Sequence, residues 1–250
     1  MNENNSKDCP TEEFKKWALG WSGCHGGDIG CPQRRSIWVC GIEWGGQYHN
    51  TEEIKHEFER KITCPPEGYC SEDGNLASPY DRNVLKIITA MCGNNVKNYK
   101  YVNSCIKPFV KEQEGFFKMN LFPIAFRNTN EDQWNKCFEI ATGFSTKEKY
   151  KDWCRRERFA VIKNLVDICR PKLIICFGKE NSEDFKKAFF GDSEIIYCEN
   201  DEINSNIKLQ WYMDNYTIAV ICPFPSFWFK NILLQSIGDR ISNVIKTFYG

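Results

Sequence analysis

The segment PKLIICFG, residues 171–178, decides the fold class of this chain. It is a continuous apolar run between a proline, which ends the helical pattern before it, and a glycine. Such a run is typical of a parallel strand that is buried on both faces. Residues 217–222 repeat the pattern, and the apolar runs at residues 36–41 and 116–122 predict two further strands.

Helical patterns separate these predicted strands. Residues 81–91, 158–169 and 182–190 space their apolar side chains as one face of a helix does, and residues 237–248 do so near the end of the chain. Strands that alternate with helices predict a three-layer α/β/α fold around a central, mainly parallel four-stranded sheet.

The length and composition indicate a single domain inside the cell. We expect one domain over residues 1–250, with an N-terminal extension and Gly-rich loop at residues 1–35 and an α/β core at residues 36–250. No apolar run approaches the roughly 20 residues that span a bilayer, and residues 1–11 lack the apolar centre of a signal peptide. A cytoplasmic monomer without membrane contact is therefore predicted. Lys and Arg total 33, as do Asp and Glu, so net charge gives no general attraction to nucleic acid.

The 14 cysteines are fewer than a disulfide scaffold would carry. Three lie inside apolar strand patterns and are predicted as reduced core residues: Cys40, Cys176 and Cys222. Cys24, His25 and Cys31 are metal ligands by type, but their spacing and the lack of a fourth ligand favour no metal. The glycines around them indicate a tight loop instead.

Four segments lie where predicted strands end. They are GIEWGG (41–46), MNLFPIAF (119–126), PKLIICFG (171–178) and VICPFPS (220–226). Loops at the carboxyl ends of parallel strands build the ligand site of open α/β proteins. These segments therefore predict where the functional pocket lies.

In their order along the chain, the segments resemble the motifs of the uracil-DNA glycosylase superfamily over roughly residues 36–245. Residues 41–45 look like the first motif, which positions a catalytic water, and residues 78–82 look like the segment whose aromatic residue stacks on the flipped base. Residues 120–126 are similar to the strand end that supplies the base-reading Asn, closest in form to the single-strand-selective monofunctional branch. Residues 224–226 take the place of the His-Pro-Ser motif.

The departures from that pattern argue against plain uracil as the substrate. Phe224 replaces the histidine that stabilises the leaving base, and Trp44 replaces the proline of the first motif. Some branches hold an iron-sulfur cluster with one cysteine at the position of Ile124 and another near Cys154. The first is missing here, so neither a cluster nor any other cofactor is predicted.

Two carboxylates are the catalytic candidates. Breaking a glycosidic bond builds positive charge on the sugar, which a nearby carboxylate stabilises or relieves by orienting water. Glu43 follows a predicted strand in a Gly-flanked loop and suits this role, although a cap or a surface ion pair is the alternative. Asp81 is the second candidate, because it follows Tyr80, the aromatic residue that the resemblance places against the base. A helix cap also explains Asp81.

The resemblance and the position of the motifs give two further sets of site residues. The predicted base-binding residues are Asn120, Tyr80, Trp44, Gly41, Gly45, Phe224, Tyr48 and His49, the last as a substitute for the missing histidine. The alternatives are a buried amide satisfied by the backbone for Asn120, core packing for Tyr80 and an exposed loop position for His49. The predicted DNA-binding residues are Pro225, Ser226, Phe227, Trp228 and Lys230, with the aromatic residues as a wedge and the lysine on a phosphate; the alternative is a helix start that packs on the sheet.

The resulting hypothesis is a monofunctional DNA glycosylase that releases a damaged or modified pyrimidine. The superfamily includes bacterial defence enzymes that excise bulky cytosines, such as glucosylated hydroxymethylcytosine, from phage DNA. One alternative is a reader on the same fold that binds a modified base without cutting, and another is a doubly wound enzyme acting on a nucleotide or small metabolite. The absence of Gly-x-Gly-x-x-Gly and Walker A sequences counts against the commonest members of that last class.

Overall fold

The computed structural model describes residues 8–60, 64–127, 133–204, 207–225 and 229–249. The strands are β1 (Cys24–Gly27), β2 (Ile37–Gly41), β3 (Phe116–Asn120), β4 (Leu173–Phe177), β5 (Tyr197–Asn204), β6 (Ile207–Met213) and β7 (Ile218–Cys222). In the described part of the chain they form one seven-stranded sheet in the order β1-β3-β2-β4-β7-β6-β5.

The centre of the sheet consists of the four strands that the sequence predicts. β2 pairs in parallel with β3 and β4, and β4 pairs in parallel with β7. Every residue of β2, β4 and β7 is buried. Burial on both faces explains why these strands are continuous apolar runs rather than alternating ones.

The prediction of a four-stranded sheet is wrong, because three antiparallel strands flank this centre. β6 pairs with β7, β5 pairs with β6, and β1 pairs with β3. Along β6 buried and more exposed residues alternate at first, as on a strand with one solvated face, so it has no continuous apolar run. β1 is short and contains two glycines with positive φ, Gly26 at 103° and Gly27 at 96°, which removes its strand signal.

Helices cover both faces of the sheet. They are α1 (Glu12–Ala18), α2 (Thr51–Glu59), α3 (Pro79–Met91), α4 (Tyr99–Ile106), α5 (Lys136–Thr142), α6 (Lys147–Trp153), α7 (Phe159–Cys169), α8 (Ser182–Phe190) and α9 (Asn231–Tyr249). One core holds side chains of α1, α2 and α5 to α8, and the other holds those of α3 and α9. No helix in the described residues is long and apolar enough to cross a membrane.

The first 35 residues are more than the predicted extension and loop. α1 places Phe14 and Trp17 in the first core, and β1 adds a strand to the sheet beside β3. Three cysteines lie in the core as predicted, with free thiols: Cys40, Cys176 and Cys222.

Capped helix starts hold two segments that reach the site. Ser78 precedes α3 and its hydroxyl accepts a hydrogen bond from the backbone N–H of Asp81 at 3.1 Å. Thr146 precedes α6 and accepts in the same way from Lys149 at 3.2 Å. Both arrangements satisfy a backbone donor that would otherwise lack a partner in the first turn of the helix, which fixes where each helix begins.

Candidate functional site

A cavity of about 390 Å³ opens where β2 and β3 end. Its lining comes from the loop after β2, the start of α3, the end of β3, β1 and the segment after β7. The lining residues are His25, Gly41, Glu43, Trp44, Gly45, Ser78, Pro79, Tyr80, Asp81, Lys118, Asn120 and Phe224. Its position agrees with the general placement of ligand sites in open α/β sheets.

The loop after β2 and the loop after β3 run side by side. Leu121 N–H donates to the carbonyl of Gly41 at 3.1 Å, and Phe122 N–H donates to Ile42 at 2.9 Å. Farther along, Phe126 N–H donates to the carbonyl of Trp44 at 3.0 Å. These backbone bonds extend the parallel pairing of β2 and β3 past the strand ends and hold both loops at the cavity.

Gly41 leaves room for two of the predicted base-binding residues. A Cβ atom at this position would lie 2.3 Å from Asn120 Oδ1 and 3.5 Å from the Tyr80 hydroxyl. The first distance is far inside van der Waals contact, so a larger residue at position 41 would displace the Asn120 amide. Asn120 itself is buried at the end of β3. The absence of a side chain at Gly41 thus places an amide and a phenol together at the cavity wall.

Glu43 forms a buried ion pair. Its Oε1 accepts a hydrogen bond from Lys147 Nζ at 3.0 Å, and the same ammonium lies 3.8 Å from the centre of the Phe126 ring. Lys147 is the first residue of α6, so the cap at Thr146 sets its position. The ammonium and the ring hold the carboxylate at the cavity wall, in one orientation and beside a compensating positive charge.

Asp81 belongs to a second buried ion pair. One carboxylate oxygen pairs with Lys118 Nζ, and the other accepts a hydrogen bond from the Ser78 hydroxyl at 2.6 Å. Lys118 Nζ also donates to the Tyr69 hydroxyl at 2.9 Å. Asp81 is therefore both part of the helix start, as predicted, and the counter-charge of a lysine that lines the cavity.

His25 lines the same cavity as Glu43, Asp81 and Lys118 and is held neutral. Its ring meets Trp44 edge to face with centres 3.9 Å apart, and it also contacts Tyr69. The pKa of His25 is lowered to about 3, mainly by burial and also by the positive charge of Lys118, while Asp81 opposes the shift. A neutral imidazole offers one donor and one acceptor but no positive charge.

Tyr80 and Phe224 form an aromatic pair at the cavity. Their ring centres are 5.3 Å apart with the planes 22° from parallel, and Tyr80 also packs edge on against Phe177. Burial raises the pKa of Tyr80 well above its usual range, so its hydroxyl stays protonated. Phe224 is half exposed, so the outer side of this pair faces solvent.

Other predicted site residues lie outside this cavity. The ring of Tyr48 packs against Phe138, and burial raises the pKa of Tyr48 to about 12. His49 is exposed, and its backbone N–H donates to Glu53 at 2.8 Å before α2. Neither Tyr48 nor His49 lines this cavity, although Tyr48 lines a neighbouring one that shares His25 and Trp44 with it, so their role at the pocket stays a prediction.

The predicted DNA-binding segment is described only in part. Pro225 is buried, and its carbonyl accepts a hydrogen bond from the Asn83 side chain at 3.2 Å, which ties the segment to α3. Lys230 is exposed next to the start of α9. The predictions for Ser226, Phe227 and Trp228 lie outside the described residues.

Possible metal ligands are found only singly or in pairs in the part of the chain that the structure describes. There, no three His, Cys, Asp or Glu side chains are grouped so as to hold a metal ion, and this holds for Cys24, His25 and Cys31. Ile124 and Cys154, the two positions weighed for a cluster, are both buried in the first core.

The sequence comparisons with known proteins find no relative. A scan against models of protein families finds no match to the chain, and a search among curated proteins finds no significant match. Membership of the uracil-DNA glycosylase superfamily stays a prediction.

Lys118 and Lys147 were not predicted as functional residues. His25 was considered only as a metal ligand and not as part of this cavity. Lys118 interrupts the apolar strand FFKMN, and a charged residue in such a strand signals a buried partner. Lys147 sits in a basic stretch that would be expected to form a solvated helix face, yet its side chain is fully buried. Neither partner, Asp81 nor Glu43, is close in sequence, so only the fold identifies the pairs.

Proposed function

We propose that this protein is a DNA glycosylase that hydrolyses the bond between deoxyribose and a flipped-out, modified pyrimidine. The observation that carries the proposal is the meeting of three groups in one cavity: the Glu43 carboxylate, the Asn120 amide and the Tyr80 ring. Such a reaction requires an anionic group near the sugar, a polar group that reads the base edge and an aromatic face beside the base. A volume of about 390 Å³ lies within the range of small-ligand sites.

Glu43 acts at the sugar. As the C1′–N1 bond breaks, its electron pair leaves with the base, and positive charge develops on the sugar ring. The fixed carboxylate stabilises that charge and accepts a proton from the water whose oxygen bonds to C1′. The ion pair with Lys147 keeps Glu43 oriented for this task.

Lys118 acts at the leaving base. With phenylalanine at position 224 and a neutral imidazole at position 25, the ammonium of Lys118 is the lining group that supplies positive charge. A positive charge near the base stabilises the negative charge that the base acquires as it leaves. Asp81 and Tyr69 are positioning residues that fix this ammonium.

Asn120 and Tyr80 select the base. The Asn120 amide both donates and accepts hydrogen bonds, which suits the mixed donor and acceptor edge of a pyrimidine. The Tyr80 ring offers an aromatic surface beside it, and the Tyr80–Phe224 pair lines the mouth. To enter the cavity, the base must leave the DNA stack. The free energy of unstacking and unpairing is smallest for a damaged base or for single-stranded DNA.

A base-release assay tests the proposal. Purified protein is incubated with uracil-containing DNA, unmodified DNA and genomic DNA of phages with modified cytosines, and free bases are identified by mass spectrometry. We expect release of one modified base and intact abasic strands, since a monofunctional glycosylase does not cut the backbone. Glu43→Gln should reduce release about 10²–10⁴-fold, whereas the same substitution at Glu148, an exposed acid on α6, should leave it unchanged.

The assay also decides against the rival functions. Tight, stoichiometric binding of one modified DNA without release would replace the proposal with a non-cutting reader. Release that is equal in Glu43→Gln and the native protein would show that the carboxylate is not catalytic.

A further inference from the structure

The segment from residue 82 to residue 111 contains no acidic residue, although acidic and basic residues are equal in number over the whole chain. It includes six basic residues: Arg82, Lys86, Lys97, Lys100, Lys107 and Lys111. In the part of the chain that the structure describes, only Lys111 among them forms an ion pair, with Glu67 at 2.7 Å. The other five, which we call the basic face, give this part of the molecule a local positive charge that a net charge of zero conceals.

The basic face begins at the rim of the cavity. Asp81, which lines the cavity, is followed on α3 by Arg82, and Lys86 lies one turn farther along. Arg82 Nη1 donates to the carbonyl of Leu76 at 2.6 Å, and its guanidinium has further N–H groups that can bind a ligand. At a helical rise of about 1.5 Å per residue, Lys86 is roughly 7.5 Å from Asp81 along the axis. A DNA strand carries a phosphate about every 3.4 Å of duplex, so this distance spans about two phosphates beside a nucleotide in the cavity.

α4 continues the basic face beside α3. Lys86 Nζ lies 5.3 Å from the centre of the ring of Tyr99, the first residue of α4. Lys97, in the turn before α4, is exposed, as are Lys100 and Tyr101 on the helix, the tyrosine by 69%. Lysine ammonium groups and tyrosine hydroxyls are among the usual contacts of DNA phosphates.

The positive charges of the basic face are not compensated by the acids around it. Asp81, at one end of the segment, already belongs to the second ion pair, and Asp239 on α9 accepts a hydrogen bond from Gln235 at 2.9 Å. Burial lowers the pKa of Lys86, and the neighbouring charge of Arg82 lowers it further. Like charges that repel one another on one surface favour an anionic partner.

We propose that the basic face binds the phosphate backbone of the DNA strand that carries the nucleotide in the cavity. This inference rests on the proposed function, because that function names DNA as the substrate. It adds a contact on α3 and α4, apart from the segment at residues 225–230 that the sequence predicts to bind DNA. Phosphate contacts position a strand without reading its bases, so the basic face should raise the affinity for any DNA sequence.

The salt dependence of DNA binding tests the basic face. Binding of an unmodified, fluorescently labelled duplex is measured by anisotropy between about 50 and 200 mM salt, the range over which phosphate contacts weaken strongly. One variant combines Lys86→Gln, Lys97→Gln and Lys100→Gln. Its plot of log binding constant against log salt concentration should be less steep by about 2–3, because each lost phosphate contact removes about 0.9 from the slope.

A second triple variant with the same loss of charge is the matched control. It combines Lys15→Gln, Lys16→Gln and Lys55→Gln. These lysines are exposed on α1 and α2, which pack in the core on the other side of the sheet from α3, and none forms an ion pair in the described residues. The slope of this variant should equal that of the native protein. Urea unfolding of both variants shows that they are folded.

The outcomes separate this inference from the proposed function. Equal changes of slope in the two triple variants would overturn the basic face as a DNA contact, because total charge alone would then explain binding. An unchanged DNA slope together with lost binding of phosphatidylserine vesicles would assign the basic face to a membrane surface instead. A glycosylase without this contact would still release its base, whereas a basic face that binds DNA without any base release would overturn only the proposed function.

Discussion

Two buried ion pairs flank the same cavity and differ in their surroundings. In the first, the side chains of Lys147 and Glu43 are 0% and 5% exposed, and in the second those of Lys118 and Asp81 are 7% and 12% exposed. In the first pair only the carboxylate lines the cavity, whereas in the second both partners do. The first pair therefore presents a negative group to a ligand, and the second adds a positive one.

The difference shows how one pocket keeps opposite charges apart. Lys147 contacts Phe126 behind Glu43, while Lys118 is also bound by Tyr69, and Asp81 by Ser78. A bond that breaks with positive charge on one side and negative charge on the other needs both kinds of group at fixed places. Each pair compensates its own charge, so neither leaves an isolated ion in the core.

The largest expected effect comes from breaking the more enclosed pair. Lys147→Met should lower the free energy of unfolding by about 3–5 kcal/mol, because it removes the counter-charge of a buried carboxylate. Urea unfolding measures this change. Lys149→Met, two residues along α6, removes a half-exposed lysine that pairs with Asp8 at the surface, and should cost less than about 1 kcal/mol. Equal costs would mean that Glu43 does not depend on its buried partner.

The next effect separates the two carboxylates in catalysis. Glu43→Gln should reduce base release about 10²–10⁴-fold, since it removes the group that accepts the water proton. Asp81→Asn should reduce it only about tenfold, because Lys118 keeps its bond to Tyr69 and a hydrogen bond to the new amide oxygen. Single-turnover rates at saturating enzyme measure both. A larger loss in Asp81→Asn would exchange the roles of the two acids.

Features of the fold and the site that have a local sequence pattern could be predicted, and those that depend on distant residues could not. The four parallel strands and most helices can be recognised in the sequence, because buried strands are continuous apolar runs and buried helix faces have apolar residues at helical spacing. The order of these elements identifies the loops that form the cavity. The antiparallel strands show no such apolar run: β1 contains two glycines, β5 has the largely polar sequence YCENDEIN, and β6 alternates buried and more exposed residues over its first half. Glu43 and Asp81 could be proposed from their position after a strand and at a helix start. Their lysines could not, because each pair joins residues at least 37 positions apart.

A smaller effect concerns His25, the neutral histidine of the cavity lining. The pKa of His25 is about 3 in the folded chain, against the usual 6.5, so between these values the unfolded chain binds a proton that the folded chain does not. His25 therefore contributes full stability above pH 6.5 and loses it as the pH falls, by at most about 1.4 kcal/mol per pH unit. Between pH 7.5 and pH 5.5 the native protein should lose about 1 kcal/mol more than His25→Gln in urea unfolding. His49→Gln, at an exposed histidine, should behave as the native protein does.

The smallest effect is expected at the cavity mouth, where histidine can be introduced at position 224 in place of phenylalanine. Phe224 is 49% exposed, so an imidazole there would be solvated and its charge screened by water. If Lys118 already supplies the positive charge for the leaving base, Phe224→His should change the rate of base release less than threefold between pH 6 and pH 8. Phe224→Leu, which removes the ring stacked on Tyr80 without adding charge, is the control for lost packing. The contrary result would be a rate of base release at least tenfold higher in Phe224→His, but not in Phe224→Leu, with a difference that grows as the pH falls. It would mean that the ammonium of Lys118 is too strongly held by Asp81 to act on the base. The second ion pair would then be structural, and Glu43 with Lys147 would be the catalytic pair.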